Sequence, residues 1–187
     1  MEENNEIVKN SSISKEFILE HAGNGLGAAV YTCEEAAISE YARKAATICR
    51  RRFRPEDVLF ISVLDEEEKG DAGVAFTSKG IYCWEEDDSF TFSVEYPDIL
   101  NVDYDSNGVR VMFNQDPARF AASGVGDKRI GGFLTRIADN ISEMQERTFS
   151  RIIPCVCYDN DLDEEEEKEY IREMYNFISD IVEEINS

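Results

Sequence analysis

The spacing of apolar residues changes along the chain and predicts helices on both sides of a run of strands. In residues 13–54 apolar residues recur every three or four positions, which is typical of amphipathic helices. Between residues 57 and 113 the period shortens to two, and polar turns separate six short apolar segments. Helical spacing returns in residues 127–148 and 164–186. The pattern predicts an α+β domain in which helices cover an antiparallel sheet.

The N-terminal region is predicted to contain two helices. A short one carries Phe17 and Ile18 on its apolar side and ends at Gly23. Thr32 and Glu35 have the spacing of a capping box, so a second helix is expected to begin at Thr32 and to end before Pro55. Its buried stripe is predicted to contain Ile38, Tyr41, Ala42, Ala45, Ile48 and Cys49. Residues 1–12 are polar and are predicted to be a disordered tail.

Six segments in residues 57–113 are predicted to be strands: VLFISVL, GVAF, GIYCW, FTFSV, ILNVDY and VRVMF. The pair Asn107-Gly108 favours a tight hairpin between the last two. RIIPCVCY, residues 151–158, contains Pro154, which lacks the N–H that a central strand needs. An edge strand or a connector is therefore expected there.

Two further helices are predicted after the strands. Residues 127–148 carry an apolar stripe, expected to pack on the sheet, formed by Ile130, Phe133, Leu134, Ile137, Ile141 and Met144. Residues 164–186 are predicted to form a long amphipathic helix with Asp163 as its N-cap. Its apolar stripe requires burial on its own domain or on another chain. No repeat or linker divides the sequence, so residues 1–187 are predicted to form a single domain.

The charge of the chain limits the classes of partner. With 40 Asp and Glu against 19 Lys and Arg, the net charge is -21. Such a field repels nucleic-acid backbones and anionic lipids, so neither nucleic acid nor a membrane is predicted as partner, and a basic protein is favoured. The N-terminus lacks the features of a secretory signal, and five cysteines without regular spacing suit a reducing compartment. A cytoplasmic location is therefore expected.

The predicted partner-binding residues are acidic and lie near the ends of predicted strands: Glu66, Glu67, Glu68, Glu85, Glu86, Asp87, Asp88, Asp159 and Asp161. Such residues are suited to contact a basic partner. An alternative is an inhibitor or immunity-type protein whose acidic surface imitates a nucleic-acid backbone and neutralises a toxin or nuclease.

Residues for catalysis are scarce in this sequence. His21 is the one histidine, which excludes a multi-histidine metal site. Cys155 and Cys157 offer two thiols, which are too few for zinc without partners from elsewhere. A thiol-dependent enzyme remains an alternative, although neither Cys33 nor Cys157 lies in a known nucleophile motif. No catalytic residue, metal or cofactor is predicted.

The hairpin DAGVAFTSKGIYCW, residues 71–84, contains the motif G-x-x-F-T-x-x-G-I-Y from Gly73 to Tyr82. With LFISVLDEEEKGD before it and SVEYPDI after it, this region resembles a family of bacterial PH-like domains of largely uncharacterised function. The resemblance covers about residues 57–113. It implies a bent antiparallel sheet that is closed at one end by a helix and used as a binding platform. Together with the helical patterns on both sides, it leads us to expect a PH-like bent antiparallel sheet of about six to seven strands with flanking N-terminal and C-terminal helices.

The resemblance implies no catalytic residue. The basic phosphoinositide pocket of eukaryotic relatives has no counterpart, because Lys69, Lys79 and Arg110 are the only basic residues in this region. The resemblance and the charge together lead us to expect a non-catalytic acidic protein-binding module of the bacterial cytoplasm that recruits or modulates a basic protein.

Overall fold

The computed structural model describes residues 12–22, 29–49, 52–64, 69–85, 92–115, 147–153 and 163–187. Within these ranges the α-helices are α1 (Lys15–His21), α2 (Glu34–Ile38), α3 (Glu40–Ile48) and α4 (Glu164–Asn186). The strands are β1 (Ala29–Thr32), β2 (Val58–Val63), β3 (Ala72–Thr77), β4 (Gly80–Glu85), β5 (Phe92–Glu95), β6 (Ile99–Asp105), β7 (Gly108–Gln115) and β8 (Arg147–Ile153). Short 3-10 helices cover Pro55–Asp57 and Tyr96–Asp98.

The strands form two antiparallel sheets, in the orders β1-β2-β3-β4-β5 and β6-β7-β8. The α+β class is confirmed, and each of the six segments predicted as strands overlaps an observed strand. The expected single sheet of about six to seven strands is wrong, because these ranges hold eight strands in two sheets. The sheets separate at Tyr96–Asp98, where the chain turns and Pro97 supplies no N–H for a ladder.

The helix predicted to begin at Thr32 is corrected by the structure. Thr32 ends β1 and pairs with Phe60 of β2, so it is part of the sheet and does not cap a helix. Ser39 then divides the helical region, because its hydroxyl accepts the N–H of Ala42 at 3.1 Å and begins α3. Ile38 therefore ends α2 and is 75% exposed, so its predicted place in the buried stripe is wrong. The helix stops at Ile48, well before Pro55, which begins a 3-10 helix instead.

The region from residue 127 to 158 is described only in part. Arg147 and Thr148 belong to β8, so the predicted extension of a helix to Thr148 is wrong. The rest of that predicted helix lies outside the described residues. Among the described strands β8 pairs with β7 alone, so residues 151–153 lie at the edge of the described three-stranded sheet, as expected. Residues 154–158 and the predicted tail also lie outside the described ranges, apart from Ser12.

The C-terminal helix is present as predicted and packs on its own chain. The carboxylate of Asp163 accepts the N–H groups of Glu165 and Glu166, and the Glu166 carboxylate accepts the N–H of Asp163. The helix contacts β6, β7 and the turn between the sheets. Its buried residues are Ile171, Met174, Phe177, Ile178, Ile181 and Ile185.

The five-stranded sheet has a core on each face. On one face the ring of Phe177 lies 5.3 Å from that of Phe60 and 5.1 Å from that of Phe76, measured between centroids. On the other face α2 and α3 bury alanines and Phe53 against Ile61 and Trp84. Helices on both faces explain why β2 to β4 are almost continuously apolar.

Residues of the hairpin motif form the turn between β3 and β4. The Thr77 hydroxyl accepts the N–H groups of Lys79 at 3.1 Å and of Gly80 at 3.2 Å, which closes the turn. Gly80 lies so close to the carbonyl oxygen of Val94 that a Cβ at this position would collide with it. Geometry therefore requires Gly80 of the motif, and the hydroxyl of Thr77 closes the turn.

The same turn anchors two distant segments. The Tyr96 hydroxyl donates to the carbonyl of Thr77 at 2.8 Å, and the Tyr96 N–H donates to the carbonyl of Lys79 at 3.0 Å. The N–H of Ile13 donates to the carbonyl of Ser78 at 2.7 Å. The hairpin thus fixes the junction between the sheets and the segment that leads into α1.

Cys33, between β1 and α2, has a strained backbone. Its φ of 53° and ψ of -116° suit glycine, and it is the only non-glycine residue with positive φ in the described ranges. Its N–H donates to the carbonyl of Leu59, which holds the residue against the sheet while the helix begins. Strain of this kind typically costs about 1 to 3 kcal/mol.

Substituting Cys33 by glycine and by alanine isolates this strain, because both variants lose the thiol and only glycine relieves the backbone. We expect Cys33→Gly to be more stable than Cys33→Ala by about 1 kcal/mol, the reverse of the usual order in regular structure. Urea denaturation followed by circular dichroism measures the difference. An alanine variant as stable as the glycine variant would show that this backbone is unstrained.

Candidate functional site

A groove of about 280 Å³ lies between α1 and the last two turns of α4. α1 supplies two aromatic rings and α4 supplies three carboxylates. The lining residues are Phe17, His21, Asp180, Glu183, Glu184 and Ser187. The groove therefore joins an aromatic wall to an acidic wall.

The aromatic wall is a stacked pair. Phe17 and His21 are four residues apart on α1, so their side chains project from the same side of the helix. Their ring centroids are 4.0 Å apart and the planes are inclined by 10°. His21 Nδ1 lies 2.9 Å from the carbonyl oxygen of Phe17, which accepts its hydrogen bond and fixes the ring.

The acidic wall opposes the electrostatic preference of the helix that carries it. Glu183 and Glu184 are exposed near the C-terminus of α4, where the helix dipole is negative, and its last turn has no basic residue. Acidic groups at this end typically cost about 0.3 to 1 kcal/mol each. The other end follows the rule, with four glutamates in the first turn. Residues that break a local rule without structural benefit are candidates for a functional role.

The polar groups of the groove suit cation binding better than nucleophilic chemistry. The Ser187 hydroxyl donates to the carbonyl of Glu184 at 2.8 Å, while His21 bonds to the carbonyl of Phe17. The hydroxyl and the imidazole Nδ1 are thus each hydrogen-bonded to a backbone carbonyl near them in sequence, and the two side chains do not form a nucleophile and base pair. Carboxylates beside aromatic faces match the charge and the apolar stem of a lysine or arginine side chain.

The described cysteines are buried thiols: Cys33, Cys49 and Cys83. Burial raises the pKa of Cys49 to about 11, although the nearby Arg52 guanidinium lowers it. Burial also raises the pKa of Cys33. Both thiols are protonated at neutral pH, whereas the thiolate is the reactive form. Cys49 borders a cavity of only about 10 Å³, which leaves no room for a substrate.

The pKa of Cys49 leads to an expected loss of stability at high pH. The pKa of Cys49 in the folded protein, about 11, exceeds the ordinary value of 9.0. The contribution of the protonated thiol to the stability of the fold is therefore complete below pH 9 and is lost as the pH rises toward 11. Between pH 8 and 11 we expect the free energy of unfolding to fall by about 2 kcal/mol more in the wild type than in Cys49→Ala. Urea denaturation at each pH measures this. Parallel pH profiles of the two proteins would contradict the assigned burial.

Neither metal-ligating side chains nor Arg52, which follows α3, give a further site in the described residues. No group of three or more His, Cys, Asp or Glu side chains in these ranges is arranged to hold a metal ion. Arg52 donates to the hydroxyl of Ser93 at 2.8 Å, which ties it to β5. Arg50, Arg51, Cys155 and Cys157 lie outside the described residues.

Of the nine predicted partner-binding residues, the structure describes one. Glu85 is exposed at the end of β4 and pairs across the sheet with Ala72. Eight lie outside the described residues, so the prediction that the acidic loops bind a partner stays a prediction: Glu66, Glu67, Glu68, Glu86, Asp87, Asp88, Asp159 and Asp161.

The groove itself was not predicted from the sequence. One local signal was present, since Glu183 and Glu184 follow a helical stripe without any Lys or Arg to balance the dipole. His21 is the last residue of α1. Its position beside the acidic wall depends on tertiary packing, which local patterns do not reveal.

None of the described helices is long and apolar enough to cross a membrane. Comparison of the chain with protein-family models, curated proteins and solved structures finds no match. The groove and the charge of the chain are therefore the observations from which a function can be proposed.

Proposed function

We propose that this protein is a non-catalytic, acidic protein-binding module of the bacterial cytoplasm that recruits or modulates a basic protein. The observation that carries the proposal is the groove, in which three carboxylates face a stacked aromatic pair on a chain with a net charge of -21. A lysine or arginine side chain of the partner occupies it.

The order of the strands supports a PH-like platform for this module. From β2 to β5 and from β6 to β8, consecutive strands pair in antiparallel fashion, giving four strands and then three. α4 follows them and contacts β6, β7 and the turn between the sheets. Antiparallel strands followed by a C-terminal helix are the arrangement that the G-x-x-F-T-x-x-G-I-Y resemblance implies, although here the strands are divided between two sheets. β1 and the helices α1 to α3 are additions to it.

The free energy that the groove can contribute to binding is small compared with that of a stable complex. An exposed ion pair contributes about 0.2 to 1 kcal/mol, and an exposed cation–π contact about 0.5 to 1 kcal/mol. One cationic side chain in the groove thus adds about 1 to 2 kcal/mol, far less than micromolar binding requires. The net charge must therefore accelerate the encounter, while the groove selects where a basic residue is held.

Affinity capture tests whether the protein binds a basic partner. The full chain is immobilised, incubated with lysate of the source organism at low salt, and the retained proteins are identified by mass spectrometry. We expect at least one partner with a basic isoelectric point. Capture of no protein, or of acidic proteins only, would overturn the proposed function.

The double variant Glu183→Gln/Glu184→Gln is then compared with Glu35→Gln/Glu40→Gln. Both remove two negative charges from exposed residues, but Glu35 and Glu40 do not line the groove. We expect the groove variant to bind the captured partner about tenfold more weakly and the control to bind nearly as the wild type does. Equal weakening of both variants would leave acidic recruitment standing and reject the groove as its site.

A stability measurement excludes unfolding as the cause of lost binding. Removing two negative charges from the C-terminal end of α4 relieves their repulsion with the helix dipole. The groove variant is therefore expected to be as stable as the wild type or a few tenths of a kcal/mol more stable. A less stable groove variant would contradict the assigned electrostatics.

A further inference from the structure

We draw no further inference here: the strongest candidate, the exposed apolar side chains Leu100 and Met112 on the sheet β6-β7-β8, carries nothing because no contact or charge pattern in the described part of the chain shows what covers them.

Discussion

Replacing Phe177 with alanine is expected to lower the free energy of unfolding by about 3 to 5 kcal/mol. Phe177 is 2% exposed, and its ring contacts Phe60 of β2 and Phe76 of β3. It joins the C-terminal helix to the five-stranded sheet, so its loss leaves a cavity where these elements meet. Urea denaturation followed by circular dichroism measures the change.

The neighbouring residue provides the control for Phe177→Ala. Asn176 is exposed on the same helix, so Asn176→Ala removes no core contact. Its free energy of unfolding is expected to stay unchanged or to rise by about 0.5 kcal/mol, since alanine favours helices. A loss below about 1 kcal/mol for Phe177→Ala would mean that α4 does not close this core.

Replacing Trp84 with alanine is expected to destabilise the opposite face by about 3 to 5 kcal/mol. Trp84 is 3% exposed, and its indole N–H donates to the carbonyl of Gly70 at 3.0 Å. Its ring also occupies the space that a Cβ would need at Gly73. The substitution therefore removes packing and leaves a buried carbonyl without its donor.

Trp84→Phe separates these two contributions. Phenylalanine keeps most of the apolar contact but cannot donate to Gly70, which typically costs about 1 to 3 kcal/mol. The free energy of unfolding of Trp84→Phe should lie between those of the wild type and Trp84→Ala. Because Trp84 is the only tryptophan, circular dichroism and not tryptophan fluorescence must report unfolding. Equal losses in the two variants would contradict packing of the indole ring on Gly73.

Local patterns predicted those elements whose signals lie within a few residues. The strands of the meander could be recognised because alternation is a property of each strand, and α4 because Asp163, Glu166 and its stripe are all local. The hairpin after Asp105 was also found, although the residue with positive φ is Gly108 and not Asn107. Each of these features forms from neighbours in sequence.

Features that depend on distant contacts could not be predicted in this way. β1 is four residues long and is held by pairing with β2, so the capping signal at Thr32 was misleading. The break at Ser39 interrupts a pattern that reads as one helix. The groove unites His21 with Glu183 and Glu184, which come together only when α1 and α4 pack.

The salt dependence of partner binding tests the central claim most directly. The dissociation constant of the captured partner is measured with the full chain at increasing sodium chloride concentration, from about 50 to 300 mM. If the acidic surface recruits a basic protein, the affinity should fall at least tenfold over this range, because salt screens exposed charges. An affinity that does not change with salt would contradict electrostatic recruitment.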